Sequence, residues 1–520
     1  MAIPVVAPLE VLLQRHISQD VYESILRHNQ NVIKGNDDDY RSPFYGEAPR
    51  EEIIAHWSEE LNNVEMHPRI QQLEAEEEEK IGSYSIRSGW NIRRNNLREY
   101  WIQASFTGDI VAFKRAVSRV KALVRRKLRS TQLETAYERM PQGTNLGLPT
   151  LVRDRRRAYE YYERAKELER TGYSISALES AFPCMLFWRG QPTGLHSLPK
   201  QRDVFGTDHL DTIIGKSISD SLIAALKTLP MFATWVSQDA VNRVVTDMFD
   251  LGLPILSIDF SGFDNNLNSF MIRAAFSVYK EWFPLDVAKL EWLEDFFLHI
   301  GIVTPDGIWE GRDGAVPSGE ALTNPTDSVD NAIAAHYVSE RSGSELKALI
   351  VMGDDGLWVF DPPLEPEEVQ IYLDELGMTI NTGKTVFSKD YVHFLQRVHV
   401  PDYRVNGLSV GVRSTMRTLG SMMSFERLKR GWSSHMNTLR WVMQVENTRY
   451  HPAFVNFVKF LRQGDTSLQT SNPMLELRHA GGVRRAEGVL GVASFPWNQA
   501  ALSNLPEFET TKVLKELSST

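Results

Sequence analysis

Three carboxylates placed where buried strands emerge are the residues of this sequence best suited to chemistry. The segment 254–258, Pro-Ile-Leu-Ser-Ile, is a short apolar run that reads as a buried strand ending on Asp259. Further on, the apolar runs 348–352 and 357–360 are separated only by Gly353-Asp354-Asp355-Gly356, which reads as a β-hairpin with adjacent acids at its tip. Crowded carboxylates are costly unless a cation or basic side chains compensate them. Mg²⁺ suits such a set, because it takes oxygen ligands and is commonly held by one or two carboxylates plus substrate phosphates. Two such ions can stabilise the attacking and the leaving oxygen of an in-line phosphoryl displacement. A lone Gly-Asp-Asp is usually an acidic turn, and a lone Asp-x4-Asp such as Asp259 to Asp264 is usually surface charge. Their combination points to chemistry.

Between them, Val316-Pro317-Ser318-Gly319 opens a segment that runs through Thr323, Asp327 and Asn331 and reads as a loop leading into a helix. Gly319 lets the backbone approach a ligand closely. Ser318 is also a good N-cap, and on its own the segment reads as a capped helix start.

The elements that position these residues follow from periodicity. From 254 to 399 apolar strands alternate with longer helical segments, which indicates α+β or split βαβ architecture. From 111 to 128, Val117, Val120, Val124 and Leu128 recur at helical spacing with arginines and lysines on the remaining arc, predicting an amphipathic helix with a basic face. That face suits either a solubilising surface or the lining of a nucleic-acid channel. The acidic run Glu74 to Glu79 reads as a solvated helix face. The first sixty residues read as an extension packed across other parts of the protein. Beyond Tyr403 the pattern is mostly helical, at 425–445 and 451–462, followed by a loop from Gly464 and a weakly structured tail.

The order Asp-x4-Asp, Ser-Gly-x3-Thr and Gly-Asp-Asp resembles motifs A, B and C of viral RNA-dependent RNA polymerases. The segment 198–206, with Lys200 and Arg202, looks like motif F, and the loop 143–149, with Thr144, Asn145 and Gly147, looks like motif G. The helix expected at 366–376, with Lys384 beyond it, resembles motif D, and the segment 393–398 with the turn Pro401-Asp402 resembles motif E. Val-Pro-Ser-Gly followed by Thr-x3-Asp-Ser-x2-Asn is similar to the polymerases of small double-stranded RNA viruses, the picobirnaviruses and partitiviruses. Many positive-strand virus enzymes carry Asn where Asp327 stands.

This resemblance implies an α+β right-hand polymerase with a split βαβ palm and mainly helical fingers and thumb. The expected divisions are an N-terminal extension at 1–60, fingers at 61–250, palm at 251–402, and thumb with tail at 403–520. It implies catalysis by Asp259, Asp354 and Asp355 holding two Mg²⁺ or Mn²⁺ ions, with Lys384 as general acid. It assigns the nucleotide to Lys200, Arg202, Asp264, Ser318, Gly319, Thr323, Asp327 and Asn331, and the template to Thr144, Asn145 and Gly147. The partners implied are RNA template and product, NTPs and viral capsid protein, within the virion and the host-cell cytoplasm. A reverse transcriptase would use the same acids, but Asp264 fits a ribose 2′-hydroxyl, whereas that enzyme class usually places a bulky residue there. A non-catalytic RNA-binding, capsid-associated protein is the third reading.

Bulk properties agree. The 520 residues exceed what one core usually supports, and 42% hydrophobic with 24% charged residues exclude the disordered and fibrous classes. The net charge of −10 argues against coating nucleic acid with the whole surface, but not against a basic interior channel. Cys184, the one cysteine, makes no internal disulfide, and paired CxxC or HExxH zinc signatures are absent from the sequence. No apolar run reaches the roughly 18 residues needed to span a bilayer. The N-terminus lacks the order of a signal peptide, so an intracellular, reducing location is expected.

Overall fold

Strand Ile255–Ile258 is buried along its whole length, as its unbroken apolar character requires, and it lies inside a four-stranded sheet. The computed structural model describes residues 3–140, 144–427, 434–465 and 507–519. In that sheet the order is Glu345–Met352, Asp355–Asp361, Ile255–Ile258, Val386–Ser388, and every neighbouring pair is antiparallel. Beside it, helix Thr323–Ser342 has consecutive buried residues from Pro325 to Ala335. A helix buried on all sides shows little amphipathicity, which is why its apolar pattern is faint. It ends at Gly343, whose φ of 78° is the left-handed conformation that lets the chain turn away.

A second, five-stranded sheet has the order Val5–Ala7, Gly307–Glu310, Ile302–Thr304, Cys184–Gln191, Lys200–Gly206. The N-terminal strand thus pairs with a segment some 300 residues away, Val5 opposite Glu310. Further on, Phe44 packs edge-on against Trp441 at 4.6 Å. Among the described residues beyond Tyr403, the helices are Thr415–Met423, Ser434–Glu446, Phe454–Gly464 and Glu509–Ser519. The 425–445 helix expected from sequence is confined to the second of these and begins after 428–433, which lie outside the described residues, as do Gly143 and the loop and tail from 466 to 506.

Two expectations are corrected. The basic helix ends at Lys121, not Leu128. The indole N–H of Trp282 donates to the Lys121 carbonyl at 2.9 Å, and the Leu128 N–H donates to the Trp282 carbonyl at 2.7 Å. Tertiary bonds therefore take over where the helix would have continued. Arg119 on its exposed face pairs with Glu340 at 2.6 Å.

The acidic run is not solvated throughout. Glu74 and Glu77, on helix Pro68–Glu78, are buried. Glu74 accepts from the Ser414 hydroxyl and from the Thr415 and Met416 N–H groups at 2.6–2.9 Å. It thereby satisfies the start of helix Thr415–Met423, and it pairs with His451 at 2.8 Å. Glu77 pairs with Arg417 at 2.8 Å. Burial by itself would raise the Glu74 pKa, but His451 and the amides outweigh it and hold the carboxyl below its ordinary range. A depressed carboxylate stabilises above its unfolded pKa and loses that contribution as pH falls through the folded value. Glu74→Ala should therefore lower stability by about 3 kcal/mol at neutral pH, with a smaller deficit in acid. Thermal melts at two pH values would show it, and an unchanged midpoint at neutral pH would mean that the amides find other partners.

Candidate active site

The pairing register brings the acids together. Ile258 lies opposite Gly356, so Asp259 leaves its strand beside Asp355. Met352 pairs with Asp355 across the two-residue turn Gly353-Asp354, where Gly353 has φ of 62°, a conformation for which glycine is suited. Asp354 is exposed at the tip and Asp355 is half-buried.

Helix Thr323–Ser342 holds this turn. The Gly353 N–H donates to the Ser328 hydroxyl at 2.8 Å. Asn331 Nδ2 donates to the carbonyls of Gly353 at 3.0 Å and Asp354 at 3.2 Å, and Asn331 Oδ1 accepts from the Trp358 indole at 3.1 Å. The motif B helix therefore sets the height of the acidic turn. The Asn381 N–H donates to the Asp259 carbonyl at 2.7 Å, and the Lys384 N–H to the Asn381 carbonyl at 3.0 Å. Exposed Lys384 thus rides on a loop hung from Asp259.

Electrostatics mark the same cluster. Burial, then the charges of Asp354 and Asp259, push Asp355 up to about 7. Burial, then Asp354, push Asp264 up to about 6. Asp354 is itself raised by its surroundings and by Asp259. The positive charge of Arg202 opposes the rise at Asp264, Asp354 and Asp355. Exposed Lys200 stands two residues earlier on the same strand.

Asp327 is buried, has one oxygen without a hydrogen-bond partner, and is driven well above the ordinary range by burial and then by Asp264 and Asp354. The charges of Asp264 and Asp354 thus disfavour ionisation of Asp327. Ser328 and Asn331, on the same helix, are engaged at the acidic turn.

Ser318 is not the N-cap. Helix Thr323–Ser342 starts after Leu322, whose N–H is taken by the Glu320 carboxylate. The Phe205 N–H instead donates to the Ser318 hydroxyl at 3.4 Å, and a Cβ on Gly319 would stand 1.9 Å from the Phe205 carbonyl. The glycine permits this contact with strand Lys200–Gly206, and Thr323 closes the loop by donating to the Pro317 carbonyl at 3.0 Å. At the other loop, Thr144 is exposed. Asn145 accepts from the Gly147 N–H at 2.9 Å, and Gly147, with φ of 68°, lies against the Thr207 carbonyl.

Sequence reasoning missed Arg312. It is fully buried and donates to the carbonyls of Gly314, Ala315 and Phe297 at 2.5–2.7 Å, shaping the chain that enters motif B. An arginine among loop residues has no local pattern to betray it.

The donor set fits Mg²⁺ or Mn²⁺. It is all carboxylate, it lies at strand ends, and the charges of Asp259 and Asp354 raise Asp355 in a way that bound cations would relieve. Among the described residues no three His, Cys, Asp or Glu side chains are grouped so that they could hold an ion by themselves.

Comparison with known proteins decides the family. The family described as viral RNA-dependent RNA polymerase matches residues 98–460. The chain belongs to this family. It is thus an RNA-directed RNA polymerase, a nucleotidyltransferase. The polymerase is 29% identical over 453 residues to a potential RNA-dependent RNA polymerase of a human picobirnavirus (strain Human/Thailand/Hy005102/-), covering 84% of each chain. It is 25% identical over 398 residues to the RNA-directed RNA polymerase of Cryptosporidium parvum virus 1, covering 73% of this chain and 68% of that one. Its fold matches the crystal structure of a human picobirnavirus RNA-dependent RNA polymerase with a TM-score of 0.80 at 24% identity, over 96% of this chain and 99% of the other. The right-hand architecture and the picobirnavirus likeness drawn from the motifs are both borne out.

Proposed function

We propose that this polymerase replicates and transcribes a viral double-stranded RNA genome by two-metal nucleotidyl transfer from NTPs, with release of pyrophosphate. The observation that carries the mechanism is the register that sets Asp259 beside the Asp354-Asp355 turn, with the positive charge of Arg202 acting on Asp354 and Asp355. Asp259, Asp354 and Asp355 would hold two Mg²⁺ or Mn²⁺ ions, which when bound activate the attacking hydroxyl and neutralise phosphate charge. Arg202 and Lys200 bind the triphosphate, where positioning and electrostatic stabilisation dominate phosphoryl transfer. Asp264 accepts a hydrogen bond from the ribose 2′-hydroxyl. Asp327 and Asn331 support that site from the helix, and Ser318, Gly319 and Thr323 form the loop beneath the nucleotide. Lys384, on the loop tied to Asp259, donates a proton to the departing pyrophosphate. Thr144, Asn145 and Gly147 guide the template backbone.

On this reading the fingers occupy 61–250, a split βαβ palm 251–402, and the thumb with its tail 403–520, after an extension at 1–60. Fingers and thumb are mainly helical. The enzyme works within the virion and the host-cell cytoplasm, against viral capsid protein. No helix among the described residues is long and apolar enough to cross a membrane.

The test of the function is incubation of purified protein with single-stranded RNA, NTPs and Mg²⁺, which should yield duplex RNA and pyrophosphate. Failure under those conditions and with an added primer would remove the reading. Arg202→Ala should lower kcat/KM for NTPs on the order of 10²-fold, with a smaller loss for Lys200→Ala. Normal nucleotide kinetics with reduced thermal stability would instead make these residues structural ion-pair partners.

A further inference from the structure

Under the 317–322 loop two carboxyl groups come together in a dry place. Asp211, on helix His209–Leu226, is completely buried, and neither of its oxygens has a hydrogen-bond partner. Glu320 is buried as well. One of its oxygens takes the Leu322 N–H, and Oε1 has no partner. A Cβ on Gly215 would stand 2.2 Å from that Oε1, so the glycine is what lets the Glu320 carboxyl lie on the helix. Gly215 is four residues beyond Asp211, hence on the same face one turn along. The loop is therefore gripped on two sides, by Gly319 against the Phe205 carbonyl and by Glu320 against the Asp211 face.

The groups facing this pair supply no free positive charge. Asp208, which caps the start of that helix, acts on Asp211 but is paired with Arg164 at 2.8 Å. Cys184, on strand Cys184–Gln191, faces Asp211, and beyond it Arg312 is committed to backbone carbonyls. Tyr279, on helix Ser269–Trp282, faces Glu320 together with Asp327 and Asp330. Two ionised carboxylates cannot share such a site without a cation. Burial, then Glu320 and Asp208, drive Asp211 well above the carboxylate range. Burial, offset in part by the amides of Leu322, Ala321 and Thr323, raises Glu320 to about 8.

We propose that Asp211 and Glu320 share a proton as an acid–carboxylate latch that fastens the 317–322 loop to helix His209–Leu226. Both are then positioning residues for nucleotide addition, a role that rests on the reading of this loop given above. The proton on Asp211 supplies the donor that neither group otherwise has, and Glu320 Oε1 accepts it. When the loop lifts, the proton passes to solvent and both acids ionise in water.

The sign follows from linkage. The folded pKa values exceed the unfolded ones, so the latch is complete in acid. It weakens as pH rises from about 4.5 towards the folded value of about 8, and its loss is level above that. Glu320→Gln and Asp211→Asn each provide a permanent amide donor and escape this loss.

The experiment is thermal unfolding of wild type and both variants from pH 5 to 9, alongside NTP kinetics from pH 7 to 9. The melting temperature of each variant relative to wild type should climb between pH 5 and 8. The wild-type KM for NTP should rise by up to about tenfold per pH unit between pH 7 and 8 and level off above that, while the variants stay nearly flat and kcat changes little. A melting difference independent of pH in both variants overturns the latch. A pH-dependent melting difference with an alkaline KM limb identical to wild type overturns its role in nucleotide addition. Failure of the polymerase reading is distinct, since wild type would then incorporate nothing at any pH.

Discussion

Asp354→Asn and Asp259→Asn should each lower nucleotide incorporation by about 10³-fold or more, with folding and RNA binding retained. The size follows from the place of these charges. Each acid emerges from the end of a strand whose backbone is held by other groups, Asp354 by Asn331 and Ser328 acting on the turn, and Asp259 by the Asn381 N–H on its carbonyl. The amide replacement leaves those bonds untouched and removes only a ligand charge. It also relieves repulsion within the cluster, because Asp355 is raised by both neighbours, so the variants should melt no lower than wild type. Single-turnover incorporation beside thermal melts separates the effects. Turnover close to wild type in either variant would refute the metal assignment, and a large fall in melting temperature would make the acids structural.

The second large effect concerns the sugar. Asp264 lies five residues after Asp259 with its carboxylate turned towards the same cluster as Asp354 and Arg202. An ionised carboxylate only accepts, so at the proposed site it would bond a 2′-hydroxyl and lose that partner with a deoxynucleotide. Sites built to bond a substrate hydroxyl reject the analogue lacking it by about 10⁴-fold. Asp264→Ala should remove most of that ratio in kcat/KM, measured with GTP and dGTP on one template. Asp327→Asn should change it less, because the amide oxygen still accepts and Asp327 approaches from the helix behind. An active Asp264→Ala enzyme with the wild-type ratio would place sugar selection elsewhere.

What was legible in the sequence is what depends on neighbours along the chain. The run ending on Asp259 and the runs flanking Asp354-Asp355 are apolar and short, and they became adjacent strands. The helix Pro366–Glu375 was bracketed by a proline at its first turn and by Gly377. The segment 393–398, expected to lead to a turn at Pro401-Asp402, is itself a hairpin, in which Val392–Phe394 and Arg397–His399 pair across Leu395 and Gln396. The rest depended on partners far away. Glu74 looked like any solvated glutamate, because its amide donors lie some 340 residues on. The basic helix stopped where Trp282 claimed its carbonyl. Ser318 and Gly319 looked like a helix cap or a ligand loop, whereas their first contacts are with Phe205. Asn331 was assigned to the nucleotide, and its amide holds the acidic turn. Buried Asp211 and Glu320 carry no sequence signal, since only the fold makes them neighbours.

The central claim is that Asp259 and Asp354 create a site for two divalent ions in nucleotidyl transfer. It is tested most directly by counting Mn²⁺ by electron paramagnetic resonance in complexes with primed RNA and a non-hydrolysable NTP analogue, for wild type, Asp259→Asn and Asp354→Asn. The account predicts two ions in the wild-type complex and a lost or much weakened ion in each variant. Equal stoichiometry and affinity in all three proteins would contradict it.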